Sequence, residues 1–179
     1  MKKTLCALLA VCAVGMTLAS CAKKAEEGFQ KVESGTCDFA FECPETWTVT
    51  HTDGMLSVIN PEDISKANIT AHSFSHGEGE STTAIEYWET YQKQLSDVFA
   101  NCEFEQVQPL SLGGQETAHA KYSVNIGKES FDCETVLIVY AGKAYTITLT
   151  QGAKTDENAE NYNDHSDEFA EIIKTFRIK

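Results

Sequence analysis

Hydrophobic residues recur along the chain at several different spacings, and each spacing predicts a different kind of element. Between Cys37 and Cys43 every second residue is apolar, which predicts a half-buried strand that Pro44 ends. Asp53 and Gly54 form a turn pair between two short extended runs, so we expect a β-hairpin there. The extended runs that follow the first strand cover residues 47–50, 55–60 and 68–74.

One long segment has helical spacing instead. Thr83 followed by Glu86 is the sequence of a capping box, which marks the start of a helix. A single stripe of apolar residues then follows, made of Ile85, Trp88, Tyr91, Leu95, Val98 and Phe99. Charged and polar residues lie opposite this stripe, so we expect one face of the helix to pack and the other to be solvated.

The second half of the chain alternates between extended runs and glycine turns. Runs over residues 102–112, 116–126, 130–140 and 145–150 predict a meander of antiparallel strands. Residues 137–140 are apolar on both sides of their strand, which is typical of a central strand covered on both faces. With a second helix expected from about residue 164 or 166, the predicted fold is α+β, an antiparallel sheet in a three-layer α/β/α sandwich.

The N-terminus has a pattern of its own. Lys2 and Lys3 precede an apolar run over residues 4–18, which is short for a membrane span. Ala19, Ser20 and Cys21 follow this run directly. The segment 18–21 resembles the lipobox of bacterial lipoprotein precursors. This resemblance implies that residues 1–20 are a signal peptide and that Cys21 carries a lipid. The polar composition that follows predicts that residues 21–36 form a lipidated N-terminus and a flexible tether. The alternative is an ordinary signal peptide followed by an incidental cysteine.

Charge limits the classes of partner. Removal of Lys2 and Lys3 with the signal peptide would take the formal net charge from −13 to −15. A surface this acidic repels nucleic acids and anionic head groups. We therefore expect no nucleic-acid partner, and we expect the lipid rather than a basic patch to hold the protein at the membrane.

Four cysteines remain in the exported domain, namely Cys37, Cys43, Cys102 and Cys133. An even number in an exported domain predicts two disulfides. Cys37 and Cys43 would be about 20 Å apart in an extended strand, so each is expected to pair with one of the other two. Which cysteine pairs with which stays open. The alternatives are buried free thiols and a zinc site, although no pair has the usual short zinc spacing.

Candidate chemistry is sparse. His72 and His76, with acidic residues nearby, are the best candidate metal ligands, but extended backbone would place them about 13 Å apart. The acidic segment 156–164 lacks the glycine that a calcium loop requires at its sixth position. Cys102 and His119 are a conceivable nucleophile and base. The common phosphate-loop, nucleophile-elbow and zinc-protease motifs are absent from the sequence. We therefore predict no catalytic residue, metal or cofactor.

Several short motifs occur in a fixed order along the exported part of the chain: Phe41 with Pro44 and Trp47, Tyr87 with Trp88, the turn at 112–114, the segment 145–148, and Phe169, Ile173 and Phe176. In these motifs the chain resembles PsbP-like domains over residues 37–179. The resemblance implies an antiparallel α/β/α sandwich and offers no shared catalytic residues.

The expected function is that of a membrane-anchored, extracytoplasmic lipoprotein. Its domain would act as a non-catalytic binding or accessory domain with a protein partner at the cell envelope. The alternative is an extracytoplasmic metal-binding protein or metal-dependent enzyme that uses His72 and His76.

Overall fold

The structure is a computed structural model, and it describes residues 25, 27–63, 67–75, 82–160 and 162–179. Cys21, with the rest of the proposed lipobox, and His76 lie outside these residues. Within the described ranges, no helix combines the length and the apolar character needed to cross a membrane.

Eleven strands and two helices make up the described part of the chain. In chain order they are β1 (Phe29–Glu33), β2 (Phe39–Pro44), β3 (Thr48–Thr52), β4 (Met55–Ile59), β5 (Asn68–Ser75), α1 (Ala84–Val98), β6 (Ala100–Phe104), β7 (Gln108–Leu112), β8 (Gln115–Ile126), β9 (Glu129–Tyr140), β10 (Lys143–Gly152), α2 (Ser166–Thr175) and β11 (Arg177–Ile178). Their pairings are all antiparallel.

The strands form a large sheet and a small one. The large sheet has the order β3-β4-β5-β10-β9-β8-β6, with β7 also paired to β8, and the small sheet has the order β1-β2-β11. Helix α1 packs on one face of the large sheet, and α2 with the small sheet packs on the other. This arrangement confirms the predicted three-layer antiparallel sandwich.

Strand β9 shows why the sheet needs a layer on each side. Val136 and Ile138 belong to the core on the α2 side, whereas Cys133 and Leu137 belong to the core on the α1 side. Successive side chains of a strand point to opposite faces, so a strand that is apolar on both parities must be covered twice. The sequence prediction for residues 137–140 is thus confirmed, except that Tyr140 is exposed at the strand end.

The small sheet corrects two predictions. Strand β1 lies within residues 21–36, which were predicted to be a flexible tether, and it pairs with β2 so that Val32 is buried. Strand β2 does end at Pro44, but it is not half-buried, because Ala40 and Glu42 are buried as well. The reason is that β2 lies between β1 and β11 and also contacts α2.

Helix α1 begins as predicted and packs through most of the predicted stripe. The Thr83 hydroxyl accepts the Glu86 N–H, and the Glu86 carboxylate accepts the Thr83 N–H at 2.8 Å, which completes the capping box. Trp88 is fully buried between aromatic rings. Val98 is the exception, because it is 74 % exposed. Val98 is the last residue of the helix, and Phe99 after it is the C-terminal cap.

The predicted extended run over residues 102–112 is interrupted. Strands β6 and β7 both pair with β8, and the register shifts between Ala100 and Glu103. Asn101 adopts a positive φ of 56° at this shift. This shift lies at the start of β6, whereas the interruption falls at residues 105–107, between β6 and β7. The step from Phe104 to Gln108 is four residues, but the step between their partners on β8, Tyr122 and His119, is three, so an extra residue divides the predicted strand in two.

The four cysteines are free thiols in the structure, so the predicted disulfides are not formed. Cys37 and Cys43 lie in the core on the α2 side, whereas Cys102 and Cys133 lie against the core on the α1 side. The predicted pairing between the two halves of the chain is therefore wrong, because the large sheet separates the partners. Cys102 and Cys133 are on β6 and β9 with β8 between them, about 9–10 Å apart at least, beyond the reach of a disulfide.

Candidate functional site

Helix α1 leaves part of its face of the large sheet uncovered. The helix contacts β6, β8 and β9, and its Tyr91 ring lies 6.2 Å from the Phe74 ring of β5. Strands β3, β4, β5 and β10 thus present one side of the sheet next to the helix. This open half of the α1 face forms the floor of a concave surface.

A row of hydroxyl side chains crosses this open half. The residues directly opposite one another on β3, β4, β5, β10 and β9 are Thr50, Ser57, Thr70, Thr148 and Thr135. The Ser57 and Thr70 hydroxyls lie 3.5 Å apart, and the Thr148 and Thr135 hydroxyls lie 2.8 Å apart. Thr50 is exposed and Thr135 is fully buried, so the row runs from solvent to the core. We call these five residues the hydroxyl row.

The row leads into a groove between the sheet and α1, with a volume of about 220 Å³. Thr70, Thr146, Thr148 and Thr150 line its floor, and the helix side is apolar, with Tyr91, Leu95 and Phe99. The described residues that line this groove include no Asp, Glu, Lys or Arg. We call it the uncharged groove. The absence of charge is notable because 23 % of the residues in the chain are charged.

His72 also lines the uncharged groove. Burial lowers the pKa of its imidazole below the ordinary value, so the ring is neutral at pH 7. The ring packs edge-on against Phe74 with centroids 4.6 Å apart. Its predicted partner in metal binding, His76, lies outside the described residues. In the described ranges no group of three or more His, Cys, Asp or Glu side chains could hold a metal ion.

Two tyrosines line the groove, Tyr91 from α1 and Tyr122 from β8. The Tyr122 hydroxyl lies 3.2 Å from the Thr135 hydroxyl, which links β8 to the buried end of the hydroxyl row. Burial raises the pKa of both Tyr91 and Tyr122, so both phenols stay protonated at neutral pH. The groove therefore offers neutral donors and acceptors only.

A second concave surface lies on the other face of the sheet and has the opposite character. It is a cleft of about 470 Å³, lined on both sides by the carboxylates of Glu103, Glu105, Asp132, Glu134 and Asp164. Burial, together with the nearby charge of Asp164, raises the pKa of Asp132. We call this surface the acidic cleft.

Part of the acidic cleft is internally neutralised. A Glu134 carboxylate oxygen lies 2.7 Å from His119 Nε2, and the other lies 3.4 Å from Lys121 Nζ. Burial alone would raise the pKa of Glu134, but the hydrogen bond to His119 and the charge of Lys121 lower it overall. His119 therefore pairs with a carboxylate on the α2 side.

The conceivable nucleophile and base are not brought together. Cys102 is on the α1 side, where its thiol donates to the Leu95 and Phe99 carbonyls at the end of α1. His119 faces the α2 side, so the sheet lies between the two groups. Burial also raises the pKa of Cys102, which opposes formation of the nucleophilic thiolate.

Sequence reasoning missed the hydroxyl row, although a signal for it exists. Thr146, Thr148 and Thr150 alternate with apolar residues along one strand, so they share a face of the sheet. What the sequence does not show is which strands flank β10, and thus that Thr70 and Thr135 lie directly opposite Thr148.

Comparison with known proteins shows the fold. No family model matches the chain, and no curated protein sequence matches it. The chain is similar to cyanobacterial PsbP (CyanoP) from Synechocystis sp. PCC 6803, with a TM-score of 0.61 and 15 % identity over 90 % of this chain and 99 % of that one.

Two further structures extend this likeness. The Ran-binding protein Mog1p of Saccharomyces cerevisiae has a TM-score of 0.59 and 12 % identity, over 84 % of this chain and 95 % of that one. LpqN of Mycobacterium tuberculosis, a protein involved in cell envelope biogenesis, has a TM-score of 0.54 and 13 % identity, over 84 % and 91 %. The fold is therefore PsbP-like.

Proposed function

We propose that this protein is a membrane-anchored, extracytoplasmic lipoprotein whose domain is a non-catalytic binding domain for a small uncharged ligand. The observation that carries the proposal is the uncharged groove, a concave site with an apolar wall and a polar floor in a strongly acidic chain. Small-molecule sites typically combine such apolar walls with a few convergent polar groups.

The groups in the groove suit binding better than catalysis. Burial raises the pKa of the Cys133 thiol to about 11, so this cysteine is a poor nucleophile at neutral pH. The Thr148 and Thr135 hydroxyls bond to each other, and Thr148 faces Thr70 rather than a general base. A nucleophile needs an adjacent base or a lowered pKa. His72 is the basic side chain among the described lining residues, and no hydrogen bond between described residues joins its imidazole to a hydroxyl of the groove.

The tether supports a position close to the membrane. Strand β1 begins at Phe29, and the Gly28 carbonyl accepts the Glu45 N–H at 2.9 Å, so the folded domain starts there. With a lipid on Cys21, only residues 21–28 would be left as a linker, with a reach of about 15 Å r.m.s.. The neighbour Mog1p is a Ran-binding protein, which supports a protein partner for this fold as well.

The binding proposal can be tested with three probes of one shape. Benzyl alcohol, benzoate and benzylamine differ mainly in charge, and binding to the full chain in lipid nanodiscs can be followed by saturation-transfer NMR, with empty nanodiscs as the blank. We expect benzyl alcohol to bind and the two ions to bind at least about ten-fold more weakly, because the groove offers no counter-charge. Thr150→Asp should reverse this preference towards benzylamine, whereas Thr36→Asp in an exposed loop should not. Equal binding of all three probes would contradict the proposal.

The anchor is tested separately. Cys21→Ser should abolish metabolic fatty-acid labelling and release the protein from the membrane fraction, while Cys102→Ser should leave both unchanged. Unchanged labelling in Cys21→Ser would show that the lipobox interpretation is wrong.

A further inference from the structure

We propose that the ligand of the uncharged groove is a neutral saccharide, one ring of which lies across the hydroxyl row at Thr70 and Thr148. This inference rests on the proposed function and names the chemical class of its ligand.

Charge excludes ionic ligands. A charged ligand that enters the groove loses hydration, and its described lining contains no Asp, Glu, Lys or Arg to compensate. Anions are also repelled by the net charge of −13, and cations find a better site in the acidic cleft on the other face. A neutral molecule is the class that this groove accepts without an electrostatic cost.

The floor favours a ligand with several hydroxyl groups. Each threonine hydroxyl can donate one hydrogen bond and accept two, so Thr148 keeps capacity for a ligand after it bonds to Thr135. Neighbouring strands place such hydroxyls about 4.8 Å apart across the sheet, and Thr146 and Thr150 each lie about 6.7 Å from Thr148 along β10. A purely apolar ligand would cover this array and leave its hydrogen bonds unmade, which is costly.

The wall favours a ring that is apolar on one face. Tyr91, Leu95 and Phe99 face the floor from the helix side, so a bound ligand meets hydroxyls on one side and apolar carbon on the other. A sugar ring suits this arrangement, because a C–H face can pack on the apolar wall while hydroxyls at the rim reach the threonines of the floor. The volume of about 220 Å³ is below the range of about 300–1,000 Å³ for drug-sized ligands, which fits one ring.

The experiment uses the full chain in lipid nanodiscs and saturation-transfer NMR. The neutral probes are the methyl glycosides of glucose, galactose, mannose and N-acetylglucosamine, and the charged counterparts are glucuronate and glucosamine. We expect at least one neutral glycoside to bind and both charged sugars to bind at least about ten-fold more weakly.

The double variant Thr70→Val with Thr148→Val removes two floor hydroxyls at nearly constant volume, and Thr36→Val makes the same change in an exposed loop. The double variant should weaken glycoside binding at least about ten-fold and the control should not, provided that both melt cooperatively by circular dichroism. Undiminished binding by the folded double variant, or equal binding of the charged sugars, would overturn the inference.

The two proposals fail differently. If no neutral glycoside binds but benzyl alcohol still does, the ligand class is wrong and the binding function stands. If neither binds, both proposals are wrong. Should the double variant not fold, Thr150→Asp provides the second test, because a carboxylate in the groove should reverse the preference from N-acetylglucosamine to glucosamine.

Discussion

The two faces of the large sheet are built from the same strands but differ in cover and in charge. On the α2 side, Tyr145, Ile147 and Leu149 of β10 are buried under a helix and the small sheet. On the α1 side, alternate residues of the same strand are threonines beside an open groove. One strand can serve both purposes because its side chains alternate.

Charge follows the same division. Carboxylates line the acidic cleft on the α2 side, whereas no charged side chain is among the described residues that line the groove on the α1 side. A charged surface keeps the protein soluble, while an uncharged concave surface lowers the desolvation cost of a neutral ligand. Both faces of the sheet carry a buried core, and the α1 face has in addition the uncharged groove that we propose binds the ligand.

The largest effect on the free energy of unfolding is expected where α1 packs against the large sheet. Trp88 is 1 % exposed and contacts the Tyr91, Phe104 and Tyr122 rings. Trp88→Ala should lower the free energy of unfolding by about 3–5 kcal/mol, the usual loss for a core aromatic residue. Urea melts measure this change, and the exposed neighbour Glu89→Ala is the control, with an expected change within about 0.5 kcal/mol. Similar small losses in both variants would mean that α1 does not stabilise the sheet.

A comparable effect is expected from a buried polar contact on the α2 side. His165 is 1 % exposed, with Nε2 3.1 Å from an Asp63 carboxylate oxygen and the ring edge-on to Trp47. His165→Ala should cost about 3 kcal/mol, since it removes a partner of a buried carboxylate as well as packing. The exposed pair of Lys174 and Glu171 on α2 offers a contrast, and Lys174→Ala should cost at most about 0.5 kcal/mol. Equal costs in thermal melts would contradict this distinction between buried and exposed pairs.

The sequence predicts the long helix and the long strands of the large sheet better than it predicts which segments pack over them. Periodicity identifies α1, β9 and β10 because each has a strong, regular pattern. It misses β1, which is only five residues long and has Val32 as its one buried residue. A strand this short is stable only through its pairing with β2, and pairing between distant segments leaves no local signal.

The candidate site depends even more on long-range pairing. The sequence shows that Thr148 shares a face with Thr146 and Thr150, but not that Thr70 and Thr135 lie on either side of it. The same limit explains the error over the cysteines. The sequence shows which residues of a strand lie on the same side as each cysteine. Which face of the sheet that side becomes depends on the layers packed above and below the sheet, and these are not visible in the sequence.

A smaller effect, dependent on pH, is expected in the acidic cleft. The pKa of Glu134 is lowered from its usual value of 4.5, so its ionised form stabilises the folded state. This contribution is complete above about pH 4.5, and it is lost as the pH falls through the lower folded-state pKa. Glu134→Gln should cost about 1 kcal/mol at pH 7 and less at pH 2, because the wild-type carboxyl loses its charge as the pH falls through its folded-state pKa. Urea melts across this range measure the difference, and an equal cost at both pH values would contradict the assignment.

The smallest effect on stability is expected from the cysteines, which also provide the sharpest test of the division between the two faces. Since the sheet separates Cys37 and Cys43 from Cys102 and Cys133, all four should be thiols in the native protein. Alkylation after unfolding without reductant should therefore add a label to each, as measured by mass spectrometry of the tryptic peptides.

In the folded protein, one thiol should react before the others. Cys102 is half-buried, whereas Cys37, Cys43 and Cys133 are buried, so access favours Cys102 although burial raises its pKa. Its thiol makes only weak contacts, of 3.4 and 3.7 Å, to the Phe99 and Leu95 carbonyls. Cys102→Ser should accordingly change the free energy of unfolding by less than about 1 kcal/mol and remove the first label. A disulfide-linked peptide that joins one cysteine of each face would show that the two cores are not separated by the sheet as described.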